Sequence, residues 1–172
     1  CLTGRQDLCE TPKATQAPRI HRQQGTALYL LGNVGCFCEY VTVPSGGAIR
    51  VRRDLPLDKG ALISCGVVTG LTAVLRTAMV QPGENVVVFG AGGVGLNVIQ
   101  GAKVANAGMI IAIDRIESKL ALARTFGATH TILADREDPV KAVLDLTGGR
   151  GVEYAFEVVG SPELMSKSLQ ML

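Results

Sequence analysis

From Asn85 onward the chain alternates continuous apolar runs with segments of helical period: Asn85 to Phe89, Gly92 to Asn106, Met109 to Ile113, Glu117 to Phe126, His130 to Leu133, Pro139 to Leu146 and Val152 to Val158. Runs such as Val86-Val-Val-Phe89 and Ile110-Ile-Ala-Ile113 are apolar at every position, so neither face of the resulting strand suits water. Helices between the strands supply the cover. The pattern predicts four consecutive parallel strands in a doubly wound α/β sheet.

The remainder of the chain has a different texture. Leu57 to Val80 carries apolar residues near helical spacing at Ala61, Leu62, Cys65, Val68, Leu71, Val74 and Leu75, with Asp58 as the expected N-cap and interruptions expected at Gly66 and Gly70. Upstream, Ala27 to Leu31 and Phe37 to Val43 are short apolar runs broken by glycine and proline, the punctuation of strands in an all-β unit. Cys1 to about Arg19 has no sustained period and reads as a loop or lobe held by something other than a core. A boundary is therefore expected between residues 53 and 57, separating a β-rich segment 1–53 from an α/β domain 57–172.

Seventeen basic and 15 acidic residues, spread along the chain, leave a net charge of only +2, with no electrostatic footprint for nucleic acid or for a membrane surface. No uninterrupted apolar run reaches the roughly 18 residues that span a bilayer, and no basic-then-apolar leader opens the chain. A cytoplasmic protein with a small-molecule partner is the expectation. The chain starts at Cys1 instead of Met, and Ser166 to Leu172 is an apolar-periodic stretch with no cap, so a piece of a longer protein is expected.

Gly90-Ala-Gly-Gly-Val-Gly95 is a G-x-G-x-x-G that follows an apolar strand and opens a helix, the context in which the motif binds a dinucleotide. Gly90 permits the tight turn, Gly92 lets the backbone approach a pyrophosphate, and Gly95 allows close packing of helix on strand. The diphosphate sits on the N–H groups of the first turn, Gly93 and Val94 included, where the helix dipole favours an anion. The competing reading is a glycine-rich turn that binds nothing. Asp114 lies 19 residues after Gly95, near the separation of roughly 20 expected for an acid that takes the adenosine ribose hydroxyls. Its charge repels a 2′-phosphate and favours NAD over NADP, while the guanidinium of the adjacent Arg115 partly offsets that repulsion.

Cys65-Gly-Val-Val-Thr-Gly70, the glycine loop, Asp114 followed by Lys119, Phe126-Gly-Ala128 and Phe156-Glu-Val-Val-Gly160 together resemble, in order and spacing, the zinc-containing medium-chain alcohol dehydrogenases, and the resemblance covers nearly the whole chain. It implies a Rossmann-like sheet preceded by the tail of a GroES-like β-rich catalytic domain. It also implies NAD and Zn²⁺ as cofactors and an alcohol or aldehyde as the partner, with a homo-oligomeric parent. By the same resemblance Cys65 is a ligand of a catalytic zinc, Thr69 packs near the nicotinamide, Lys119 reaches the adenosine ribose, and Val158 to Gly160 border the nicotinamide. A catalytic zinc takes three protein ligands and an open position, from which it lowers the pKa of an alcohol. Taken without the resemblance, Cys65 in an apolar helix reads as a buried small hydrophobe.

Cys1 and Cys9 stand in a C-x₇-C arrangement that by itself suits free thiols or metal equally; the resemblance implies half of a structural zinc lobe. Cys36 and Cys38 alternate on one strand face in Gly35-Cys-Phe-Cys-Glu-Tyr40 and read as buried small residues. His21, in a basic loop, and His130, opening a strand, read as surface residues, and the scattered Arg22, Arg50, Arg52, Arg53 and Arg150 read as a solvated face. Glu157 carries no assigned role. Polyol, threonine and glutathione-adduct formaldehyde dehydrogenases fit the same residues, and a non-catalytic NAD-binding remnant or sensor is the alternative of another class. A zinc-free quinone reductase leaves Cys65 without a purpose. With one catalytic zinc ligand in hand, the 172-residue chain is expected to show no turnover alone, and a steady-state assay of alcohol oxidation with NAD checks this.

Overall fold

The structure, a computed structural model, describes residues 20–28, 38–43 and 48–172. The chain divides into two compact units, Cys1–Arg53 and Asp54–Leu172. In the first, β1 (Ile20–His21) pairs antiparallel with β2 (Ala27–Leu28). Gly25, at φ +79°, closes the turn by donating its N–H to the Arg22 carbonyl at 2.8 Å. His21 thus belongs to a strand, which corrects its reading as a loop residue. Residues 38–43 form no strand, against the expectation for Phe37 to Val43: Tyr40 is 90 % exposed, and alternation alone makes no ladder without a partner. Residues 29–37, with the rest of that expected pair, lie outside the described residues.

The second unit opens with α1 (Leu57–Ala78), a helix whose hydrogen bonding widens to the π pattern at Ile63–Val67 and Ala73–Ala78. Pro56, not Asp58, occupies the N-cap; Asp58 lies in the first turn, where its charge faces the positive end of the dipole. Gly66 and Gly70 do not interrupt the helix. Gly70 is buried against the next helix, and a Cβ there would stand 2.6 Å from the Asn97 Cβ and 2.7 Å from the Val94 carbonyl oxygen. The glycine therefore sets how closely two helices approach. With 22 residues and a mean hydropathy of 1.6, α1 is long and apolar enough to cross a bilayer by length and composition alone. Small neutral residues such as Ser64 and Thr69 break a run without making the window polar.

Then follow β3 (Val86–Phe89), α2 (Gly93–Val104), β4 (Ile110–Asp114), α3 (Glu117–Phe126), β5 (His130–Leu133), α4 (Pro139–Leu146), β6 (Tyr154–Glu157) and α5 (Pro162–Leu169). The four strands make one parallel sheet in the order β5-β4-β3-β6, with Val86 opposite Ile110 on one side and Tyr154 on the other. Side chains alternate across it. Val86, Val88, Ile110 and Ala112 face one core with Val74 of α1, Ile99 and Ala102 of α2 and Leu120 of α3. Val87, Phe89, Ile111, Ile113 and Ile132 face the other with Val143 of α4 and Met171. Covered faces on both sides explain the uninterrupted apolar strands, and each buried Val or Ile contributes about 1.5–3 kcal/mol relative to exposure.

Asp138 caps α4 by accepting from the Val140 N–H at 2.9 Å, and Pro139 fills the first turn. Ser161 and Pro162 repeat the device at α5. The expected uncapped stretch up to Leu172 instead closes at Gln170, whose N–H bonds the Lys167 carbonyl, and Met171 turns into the core. Sheet order places β3 where the winding of the chain reverses: β4 and β5 are added to one side and β6 to the other. Crevices at such a switch point, beyond the carboxyl ends of the strands, are where open α/β sheets bind ligands.

Gly70→Ala is expected to lower the unfolding free energy by about 1–3 kcal/mol, because backbone atoms of α2 cannot yield to the new methyl. Gly66→Ala, which meets nothing within 4 Å, is expected to be neutral or to stabilise by up to about 1 kcal/mol. Urea unfolding of the two variants checks the contrast; equal responses would deny Gly70 its packing role.

Candidate functional site

Gly90 leaves β3 at φ +97° and donates its N–H to the Ile113 carbonyl at 2.8 Å. A Cβ at Gly90 would stand 2.8 Å from Val159 Cγ2, and one at Gly95 would collide with the Gly90 carbonyl oxygen. Strand, turn and helix thus close on one another at two glycines. At Gly92 and Gly93 the situation is the reverse: a Cβ would meet nothing within 4 Å. Gly92 is the N-cap of α2 and carries no side-chain cap, and no acidic residue stands in the first turn. The first-turn N–H groups of Gly93, Val94 and Gly95 therefore lack the side-chain partner that most helices supply.

Asp114 ends β4 beside this loop. Its Oδ2 accepts from the Ala91 N–H at 2.8 Å and its Oδ1 from the Ile116 N–H at 3.0 Å, so one carboxylate ties the glycine loop to the end of the neighbouring strand. Lys119, one turn into α3, brings its Nζ to 3.9 Å from Asp114 Oδ2. Arg115 turns aside and donates from Nε to Asp135 Oδ1 at 2.7 Å, and that hydrogen bond raises the guanidinium above its ordinary pKa. On α5, Lys167 and Glu163 pair at 2.8 Å; the bond holds the Glu163 carboxyl below, and the Lys167 ammonium above, their usual ranges.

These residues border a cleft of about 910 Å³ at the carboxyl ends of the strands. Gly90, Gly92, Asp114, Lys119 and Val158 line it together. Gly93, Val94 and Gly95 form the first turn of α2, and Gly160 lies two residues past Val158; none of the four is among the lining residues.

Cys65 and Thr69 are not among the lining residues. Four apart on α1, they share one exposed helix face, while Gly70 and Val74 take the buried one. Exposure corrects the reading of Cys65 as a buried hydrophobe. No group of three His, Cys, Asp or Glu side chains that could hold a metal occurs among the described residues. Cys1, Cys9 and Cys36 lie outside the described residues. Cys38 is exposed, not buried, with its Sγ 2.8 Å from the Tyr40 carbonyl. His130 opens β5 with Nδ1 2.9 Å from Thr129 Oγ1.

Glu157 is the residue that sequence reasoning left without a role. Its Oε1 accepts from the N–H groups of Val159 at 2.8 Å and Gly160 at 2.9 Å, and its Oε2 accepts from Gly160 at 3.1 Å. The carboxylate thus sits in a concavity of its own backbone and fixes the segment that packs on Gly90. A signal was present in Phe156-Glu-Val-Val-Gly160: an acid at the end of an apolar strand, followed after two residues by a glycine that takes φ +88°.

The sequence profile of the family described as zinc-binding dehydrogenase matches residues 93–172. An S-(hydroxymethyl)glutathione dehydrogenase of Synechocystis sp. is 38 % identical across 99 % of this chain, which spans 48 % of that protein's length. Among solved structures, an alcohol dehydrogenase zinc-binding domain protein from Burkholderia ambifaria superposes with a TM-score of 0.79 at 36 % identity, covering 88 % of this chain and 41 % of the other. Benzyl alcohol dehydrogenase from Acinetobacter calcoaceticus gives 0.68 at 42 % identity over 72 % of this chain and 34 % of its own. The parallel sheet with helices on both faces is of the Rossmann-like α/β class. Over residues 93–172 the chain matches the zinc-binding dehydrogenase family, and over nearly its whole length it is similar to about half of the larger Synechocystis dehydrogenase.

Removing the Glu157 carboxylate is expected to free the rim of the cleft. In Glu157→Ala, amide hydrogen exchange at Val159 and Gly160 should accelerate about tenfold or more, the scale of hydrogen bonds to a charged group. Glu157→Gln keeps one acceptor oxygen and should recover part of the protection.

Proposed function

We propose that this chain carries the cofactor-binding part of an oxidoreductase that transfers hydride between an alcohol and NAD with the aid of zinc. The observation that carries the reading is the juxtaposition of an uncapped helix N-terminus, open at Gly92 and Gly93, with the Asp114 carboxylate on the same cleft. A diphosphate fits the open N–H edge, where backbone donors and the helix dipole meet its charge without a side chain in the way. Asp114 has acceptor capacity left after its two backbone bonds, since each carboxylate oxygen offers two lone pairs, and this serves the ribose hydroxyls. Lys119 stands beside it as a donor to the same sugar. Val158 and Val159 give the nicotinamide end an apolar wall that excludes water.

NAD supplies the hydride acceptor in this chemistry and zinc the Lewis acid. Cys65 offers one exposed sulfur ligand on α1, with Thr69 a turn further along the same face. A catalytic zinc takes three protein ligands, so Cys65 alone does not hold it. The substrate class we infer is an alcohol or its aldehyde, in keeping with the names of the Synechocystis and Acinetobacter relatives. A second reading, an NAD-binding module without chemistry, draws on the absence of a three-ligand metal group among the described residues.

NADH is expected to bind the chain at least tenfold more tightly than NADPH, read from the fluorescence of the reduced cofactor, and a clear NADPH preference would overturn the reading. Asp114→Ala should weaken NADH about tenfold or more, since it removes a charged acceptor and releases the glycine loop together. Turnover by the full-length enzyme, lost in Cys65→Ser, separates the zinc dehydrogenase from the module without chemistry.

A further inference from the structure

Three cations line the cleft, Arg115, Lys119 and Lys167, and each has a carboxylate partner within 4 Å: Asp135, Asp114 and Glu163. All three acids line the same cleft, so its ionisable side chains balance. A ligand with one diphosphate can use the backbone N–H groups of α2. An extra phosphate beside the ribose finds no cation that is not already engaged by a carboxylate. The position of greatest consequence is Arg115, because it directly follows Asp114, where the ribose hydroxyls are read under the proposed function, and because a guanidinium at such a place accommodates a 2′-phosphate.

Arg115 is not directed there. Its Nε meets Asp135 Oδ1 at 2.7 Å, and Asp135 belongs to the segment that follows β5, the neighbouring strand. The parallel register sets this up: Asp114 stands opposite Leu133, so the residues just past each strand end, Arg115 and Asp135, project over the same rim. The guanidinium is drawn along the sheet edge toward β5.

We propose that Asp135 is a specificity-determining residue, which excludes adenine dinucleotides bearing a 2′-phosphate by engaging the one guanidinium that would otherwise receive it. The inference rests on the reading of the cleft as an NAD site. Asp114 supplies repulsion, and Asp135 withholds the compensation.

The test is a double-mutant cycle on the full chain, with NADH and NADPH binding read by fluorescence at low ionic strength, where exposed charges are least screened. Asp135→Asn is expected to tighten NADPH by roughly two- to fivefold, the span of an exposed ion pair, and to leave NADH within about twofold. Adding Arg115→Ala is expected to abolish that gain. A gain that persists without Arg115 overturns the proposal, because it reduces Asp135 to simple repulsion, and so does an unchanged NADPH affinity in a variant that still binds NADH. Failure of the unsubstituted chain to bind NADH overturns the underlying reading instead.

Discussion

The approach of α2 to β3 across Gly90 and Gly95 is the contact on which the rest of the cleft depends. A side chain at Gly95 would collide with the Gly90 carbonyl oxygen, so the helix sits as close to the strand as backbone permits. That closeness turns the N-terminus of α2 toward the carboxyl ends of the strands and leaves Gly92 and Gly93 at the surface. Two further segments are built onto the same turn. Val158 and Val159 pack against Gly90 from β6, and Asp114 holds the Ala91 N–H from β4. The glycine loop is therefore gripped from both neighbouring strands, which fixes where the N-terminus of α2 opens onto the cleft.

Charge in the cleft is arranged with similar economy. Asp114 bonds backbone on both oxygens while facing Lys119, and Glu157 spends its carboxylate on its own turn. Both acids thus hold the loops that border the cleft. Arg115, by contrast, is engaged at the rim with Asp135.

The helix α1 has two unlike sides. Its buried side is made of small residues, with Gly70 against α2 and Val74 in the core, while Cys65 and Thr69 share the exposed side. One helix thus packs through Gly70 and Val74 and exposes a thiol on its other side, and most of its apolar side chains, Leu57 and Leu62 among them, stay exposed within the described residues.

Alternation of apolar runs and helical periods made the parallel sheet legible, because strands covered on both faces have no polar positions to blur the signal; Glu117 to Phe126, His130 to Leu133 and Pro139 to Leu146 were readable to the residue. The glycine loop and Asp114 were readable for a related reason, since close backbone approach admits only glycine, and a charge at the end of an apolar strand stands out. Gly66 and Gly70 misled, because composition reports helix propensity and not the neighbour that a missing side chain admits. Residues 38–43 misled because apolar alternation marks which face a strand would bury and not whether a ladder forms. Roles that depend on where an atom finally points, namely Glu157 folding onto its own turn, Asp135 drawing Arg115 aside, and Cys65 facing out instead of in, came only from tertiary structure. Periodicity and backbone allowance are local properties written along the chain, whereas the partner of a charged side chain is set by strand register and helix approach, which form only when the sheet does.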